Sequence, residues 1–169
     1  MQFVPITLKT LKPKETDFEP QTLGEHVRKR RLELGLTQKQ AADRLGVNAW
    51  TVLNWEKDHT EPPIESIPAI LQFLAYDPFP EPKNISERLL AKRRAMGWSI
   101  KEAARQLGVD EGTWRDWEHG KTILFRRHRL IVAKFIVLTP DEMNREMRDR
   151  WNRSHGKQTT IDTSHRITK

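Results

Sequence analysis

Two clusters of cationic side chains, Lys92-Arg93-Arg94 and Arg126, Arg127 and Arg129, carry the most conspicuous chemistry in this 169-residue chain. Guanidinium and ammonium groups at that density bind polyanions, because each one placed beside a phosphate releases condensed counterions. Nothing comparable points to catalysis. The six histidines, His26, His59, His119, His128, His155 and His165, lack metal-ligand spacing. There is no Gly-rich phosphate loop and no Ser/His/Asp arrangement, so no enzyme activity, metal or cofactor is expected.

The balance of the whole chain points the same way. A formal net charge of +7 and an isoelectric point near 9.9 favour nucleic acid as the partner. A membrane is the competing polyanion, but the longest apolar runs, around Ile67 to Ala75 and Leu130 to Leu138, are too short to span one. The start, Met1 to Pro20, mixes Lys, Pro and acids and does not read as a signal peptide. With no cysteine there is no disulfide framework, and a cytoplasmic location is the natural expectation. The length suits two small helical units better than one scaffold large enough for a catalytic cleft.

The elements that must position these charges are written twice. Leu23 to Ala75 aligns with Ile85 to Val137 without a gap, at an offset of about 62 residues, and roughly a third of the core stretch is identical. Ala41-Ala42 recurs as Ala103-Ala104, Leu45-Gly46-Val47 as Leu107-Gly108-Val109, and Trp55-Glu56 as Trp117-Glu118. In the first copy Leu23, Val27 and Leu34 share one helical face, and Gly35 ends that helix. Thr37 is placed to cap a second helix whose buried stripe is Ala41, Ala42 and Leu45. Gly46 then makes the turn, and Asn48, or Asp110 in the second copy, caps a third helix at once. Helix, glycine turn, helix is therefore expected twice in an all-α chain.

Composition sets the boundaries. A flexible arm is expected over residues 1–20, a first module over 21–78, a Pro-rich linker over 79–83 and a second module over 84–138. A basic amphipathic helix follows over 139–153, with Arg145, Arg148, Arg150 and Arg153 interleaved with Met147 and Trp151, as either a packing element or a nucleic-acid contact. A disordered tail is expected over 154–169. Lys9, Lys12 and Lys14 could form a basic arm, but Glu15, Asp17 and Glu19 neutralise it, and a plain tail is the favoured reading.

The stretch Leu36-Thr37-Gln38-Lys39-Gln40-Ala41-Ala42-Asp43-Arg44-Leu45-Gly46-Val47, followed by Thr51-Val52 and Trp55-Glu56, resembles the Cro/repressor-type helix-turn-helix regulators, also called the XRE family. The likeness runs over about residues 22–76 and again over 84–138. It implies tandem five-helix modules, each with a third helix that enters the major groove of double-stranded DNA. On that mapping Ala49, Trp50, Leu53 and Asn54 are the candidates for base contact, while Val52 and Trp55 face inward. Asn can pair bidentately with adenine, and Ala or a Trp edge can meet a thymine methyl. Gln38, Asn48, Arg28, Lys92, Arg94, Lys121, Arg126 and Arg127 are the candidates for phosphate contact. Arg31 with Glu56, and Arg93 with Glu118, are expected as structural ion pairs. Trp55, Trp114 and Trp117 are expected in cores, and Trp50 either in the groove or against a partner.

In the second copy Ile100 stands where the first has Gln38, and Asp110, Glu111 and Asp116 lie on or around its third helix, which puts base reading there in doubt. Yet residues 21–78 carry 7 basic and 8 acidic side chains, a net of −1, whereas residues 84–138 carry 12 basic and 6 acidic, a net of +6. A division of labour reconciles these facts: the first module reads bases and the second grips phosphates. The resemblance implies a bacterial or phage-type regulator, a repressor acting by promoter occupancy, with a homodimer or another regulatory protein as a further partner. The alternative is a protein-interaction factor, an antitoxin or anti-activator, that docks through the acidic third helix of the second copy.

Overall fold

The computed structural model describes residues 17–155, all of whose regular elements are helical. Residues 1–16, with Lys9, Lys12 and Lys14, and residues 156–169 lie outside the described residues. The chain divides into two compact units between Phe79 and Pro80.

In the first unit α1 (Leu23–Glu33) opens with a reciprocal cap. The Thr22 hydroxyl accepts from the Glu25 N–H at 3.1 Å, and the Glu25 carboxylate accepts from the Thr22 N–H at 3.2 Å. The helix stops at Leu34, and Gly35 reverses the chain at φ +63°. Leu34, expected on the buried face, is instead 39% exposed, because it occupies the cap rather than a full helical turn. Thr37 and Gln40 form the same kind of cap on α2 (Gln38–Leu45), which ends at Gly46 with φ +69°. Only a residue without Cβ takes that left-handed turn at no steric cost. Asn48 then caps α3 (Ala49–Glu56), its amide oxygen 2.7 Å from the Thr51 N–H. After the loop through Pro62-Pro63 come one 3-10 turn, Ile64–Ser66, and α4 (Ile67–Leu74), with Pro68 in its first turn. The first unit thus has four α-helices and a 3-10 turn where five helices were expected. Two consecutive prolines lack the N–H groups a longer helix would need there.

The second unit runs through α5 (Ile85–Met96), α6 (Ile100–Leu107), α7 (Glu111–Glu118) and α8 (Arg126–Phe135). Asn84, Ser99 and Asp110 cap the first three, and Gly97 and Gly108 end the first two in the left-handed region. A further helix, α9 (Pro140–His155), continues through Ser154 and His155, two residues past the expected start of a disordered tail. Met143 and Met147 on α9 are buried in the core of the second unit, and the α9 carboxylate of Glu146 accepts from the Ile85 N–H. Of the two roles left open for this helix, packing is the one these contacts describe.

The two cores correspond position by position. Val27, Ala41, Ala42, Leu45, Val52, Trp55, Ile70 and Leu74 form the first. Leu89, Ala103, Ala104, Leu107, Trp114, Trp117, Val132 and Ile136, each 62 residues later, are buried in the second. The positive-φ positions Gly35, Gly46, Asp58 and Ala75 recur at the same offset as Gly97, Gly108, Gly120 and Val137. Gly24 makes a close backbone approach: a Cβ there would lie 1.8 Å from the Trp55 carbonyl oxygen. That contact lets α1 lie directly on the end of α3.

Candidate nucleic-acid interface

The orientation of α3 is set by one buried carboxylate. Glu56, at its last residue, accepts from Arg31 Nε at 2.6 Å, Arg31 Nη2 at 2.8 Å and Gln38 Nε2 at 3.0 Å. Arg31 also donates through Nη1 to the Leu36 carbonyl at 3.0 Å. Three helices and the turn between α1 and α2 are thereby tied to a single group. A bidentate guanidinium–carboxylate pair is geometrically demanding, and leaving one partner buried alone is strongly destabilising.

The second unit builds the same knot with one part exchanged. Arg93 donates to Glu118 at 2.6 and 2.9 Å and to the Trp98 carbonyl at 3.0 Å. The third donor is the Trp114 indole N–H, 2.7 Å from Glu118 Oε1. Trp114 occupies the position of Val52, and Ile100, which packs against the second core, occupies that of Gln38. The loss of the glutamine amide on α6 is therefore compensated from α7. Along the sequence Ile100 reads as a departure from Gln38 and Trp114 as a core residue, and nothing there links the two.

With the knot in place, α3 turns Val52 and Trp55 into the core and leaves Trp50 70% exposed. Leu53 and Asn54 are half-buried beside it. Ala49, expected on the outer face, packs partly against the first core, which leaves Trp50, Leu53 and Asn54 as the outer face of α3. Apart from buried Glu56, no side chain on this helix is charged.

The phosphate candidates are placed less uniformly. One N–H of the Gln38 amide is bonded inside the fold to Glu56, and the Asn48 amide oxygen serves the α3 cap, accepting from both the N–H and the hydroxyl of Thr51. Gln38 therefore does structural work that the sequence does not disclose, whereas Asn48 makes the helix cap expected of it. Arg28 is exposed on α1, its guanidinium 5.7 Å from the centroid of the Phe18 ring. Lys92 and Arg94 are half-buried on α5, and Lys121 is exposed in the loop after α7. Arg126 and Arg127 are exposed in the first turn of α8, with the Arg127 guanidinium 5.7 Å from the Phe125 ring centroid.

On α7 the carboxylates differ in character. Asp110 is the N-cap, accepting from the Thr113 hydroxyl and, at 2.8 Å, from the Thr113 N–H, and these bonds hold it below the usual carboxylate range. Glu111 is exposed and Asp116 half-buried. On α6, hydrogen bonds from Arg105 and then Gln106 lower Glu102 to about 2. Among the described residues no group of three or more His, Asp or Glu side chains could hold a metal ion, and no helix is long and apolar enough to cross a membrane.

Residues 27–79 match the family model described as Helix-turn-helix. The matched stretch begins inside α1, contains α2, Gly46 and α3 entire, and ends with the first unit. It covers less than half of the chain. No curated protein and no solved structure matches the chain.

Proposed function

We propose that this chain is a sequence-specific, double-stranded DNA-binding regulator of transcription, built from two copies of one helix-turn-helix module. The observation that carries the reading is the arrangement of α2, Gly46 and α3 within the matched stretch. A buried ion pair holds α3 so that an uncharged face of Trp50, Leu53 and Asn54 points outward. A helix of this kind can enter the major groove without repelling phosphates, and Asn54 can pair bidentately with an adenine edge.

Duplication is supported by the shared offset of core positions, caps, positive-φ turns and buried ion pairs. The second module has lost the base-reading face, since Gly112, Arg115 and Asp116 stand where the first has Trp50, Leu53 and Asn54. It has gained the cations. Net charges of −1 for residues 21–78 and +6 for residues 84–138 support base reading by the first and phosphate attraction by the second. Occupying a promoter in this way would repress.

Selection of duplexes from a random-sequence pool tests the reading. A recovered site should be bound with a steep salt dependence and should give an asymmetric footprint for one chain. Recovery of no preferred sequence, with only weak salt-sensitive binding, overturns the base-reading role.

A further inference from the structure

Between α8 and α9 the second unit holds an open cleft of about 450 Å³, within the size range of small-molecule sites. Apart from Arg126, itself a candidate for duplex phosphate contact, its walls bring together chemistry that duplex recognition does not use. Arg126, Arg129 and Arg148 supply three guanidiniums, Trp151 an aromatic face, and Ile123 and Met147 an apolar floor. No carboxylate lines it.

The surroundings sharpen the case for an anion. Arg126, Arg127, His128 and Arg129 crowd the first turn of α8, which contains no acidic residue and whose N-cap, Phe125, offers no side-chain hydrogen bond. Cations at the positive end of a helix are placed against its dipole, and an anion there relieves both the dipole and the mutual repulsion of the arginines. Arg129 is oriented by long contacts from Nε to the Leu124 carbonyl, 3.4 Å, and from Nη1 to Asn144 Oδ1, 3.5 Å. Trp151 lines the cleft and is 54% exposed, which leaves part of its indole accessible from solvent.

We propose that this cleft binds a small aromatic anion of the nucleoside-phosphate class. The phosphate sits among Arg126, Arg129 and Arg148, where planar guanidiniums can each give paired hydrogen bonds, and the base lies against Trp151 over Ile123 and Met147. A phosphate alone leaves the aromatic and apolar walls unused; an uncharged nucleoside leaves the arginines unneutralised. The proposal does not depend on DNA binding by the first unit.

Calorimetric titration of the full chain with adenosine monophosphate, in the absence of DNA, tests it, with inorganic phosphate and adenosine as controls. The nucleotide should saturate one site at least tenfold more tightly than either control. Arg148→Ala and Trp151→Ala should each weaken it at least fivefold at unchanged melting temperature, and Trp151→Phe should restore most of the affinity. Absence of saturation at millimolar nucleotide, or equal affinity for inorganic phosphate, overturns the proposal. So does a result in which Arg148→Ala and Trp151→Ala weaken duplex binding but not nucleotide binding, which would place the cleft in the nucleic-acid interface.

Discussion

Asp110 is both the helix cap expected from its position and an electrostatic obstacle to base reading. Its charge lies at the start of α7, where a base-reading helix would least tolerate it, but its oxygens serve the Thr113 N–H and hydroxyl. Those bonds lower its pKa, and hydrogen bonding from Arg105 lowers that of Glu102 to about 2. A group whose folded pKa is depressed contributes stability above its unfolded value and loses it as pH falls through the folded one. The chain should therefore lose stability progressively below about pH 4, where unfolded carboxylates begin to take up protons. Asn caps helices as well as Asp does, and Asn48 already does so in the first unit. Asp110→Asn should thus leave stability at pH 7 nearly unchanged and flatten the fall on the acid side in urea denaturation. An unchanged acid slope would show that the cap carboxylate is not a source of it.

Among the elements, the two carboxylate knots decide how α3 and α7 are held. Glu56 is buried under Arg31 and Gln38, and Glu118 under Arg93 and Trp114. Glu56→Ala strands a buried guanidinium and should cost about 3–5 kcal/mol, and Glu118→Ala a similar amount, by urea denaturation. A loss below about 1 kcal/mol in either would mean that the pair is exposed and screened. The end of α8 offers the opposite case. Val137 sits at φ +58° and is 79% exposed, so a β-branched residue holds a left-handed conformation with no packing to reward it. Val137→Gly should raise stability by about 1 kcal/mol in thermal melts. These elements were legible in different degrees. Caps, glycine turns and inward tryptophans follow from residue types at fixed helical offsets, which one strand of sequence displays. The 3-10 turn at Ile64–Ser66, the exposure of Leu34 and the packing of Ala49 depend on where a helix stops to within one residue. The exchange of Gln38 and Val52 for Ile100 and Trp114 is a contact between helices, which periodicity along one helix does not reveal.

In the molecule as a whole, charge and helix-face chemistry are divided between two units. The first presents an uncharged outer face of α3 on a nearly neutral module; the second carries the excess cations and a carboxylate-bearing α7. Phosphate contacts set affinity and its salt dependence for all sequences, whereas base contacts set preference among them. Affinity measured across a salt series, on a selected site and on an unrelated duplex, separates the two contributions in one experiment. Asn54→Ala should cost about 1–3 kcal/mol on the selected site and almost nothing on the unrelated duplex, with the salt slope unchanged. Asp116→Ala, at the equivalent position of α7, should preserve or strengthen both. Arg126→Ala with Arg127→Ala should weaken both duplexes alike and make the slope shallower by about 1–2. If instead Asn54→Ala is silent and Asp116→Ala abolishes binding, or if loss of the two arginines changes the preferred sequence at constant slope, the division of labour is contradicted.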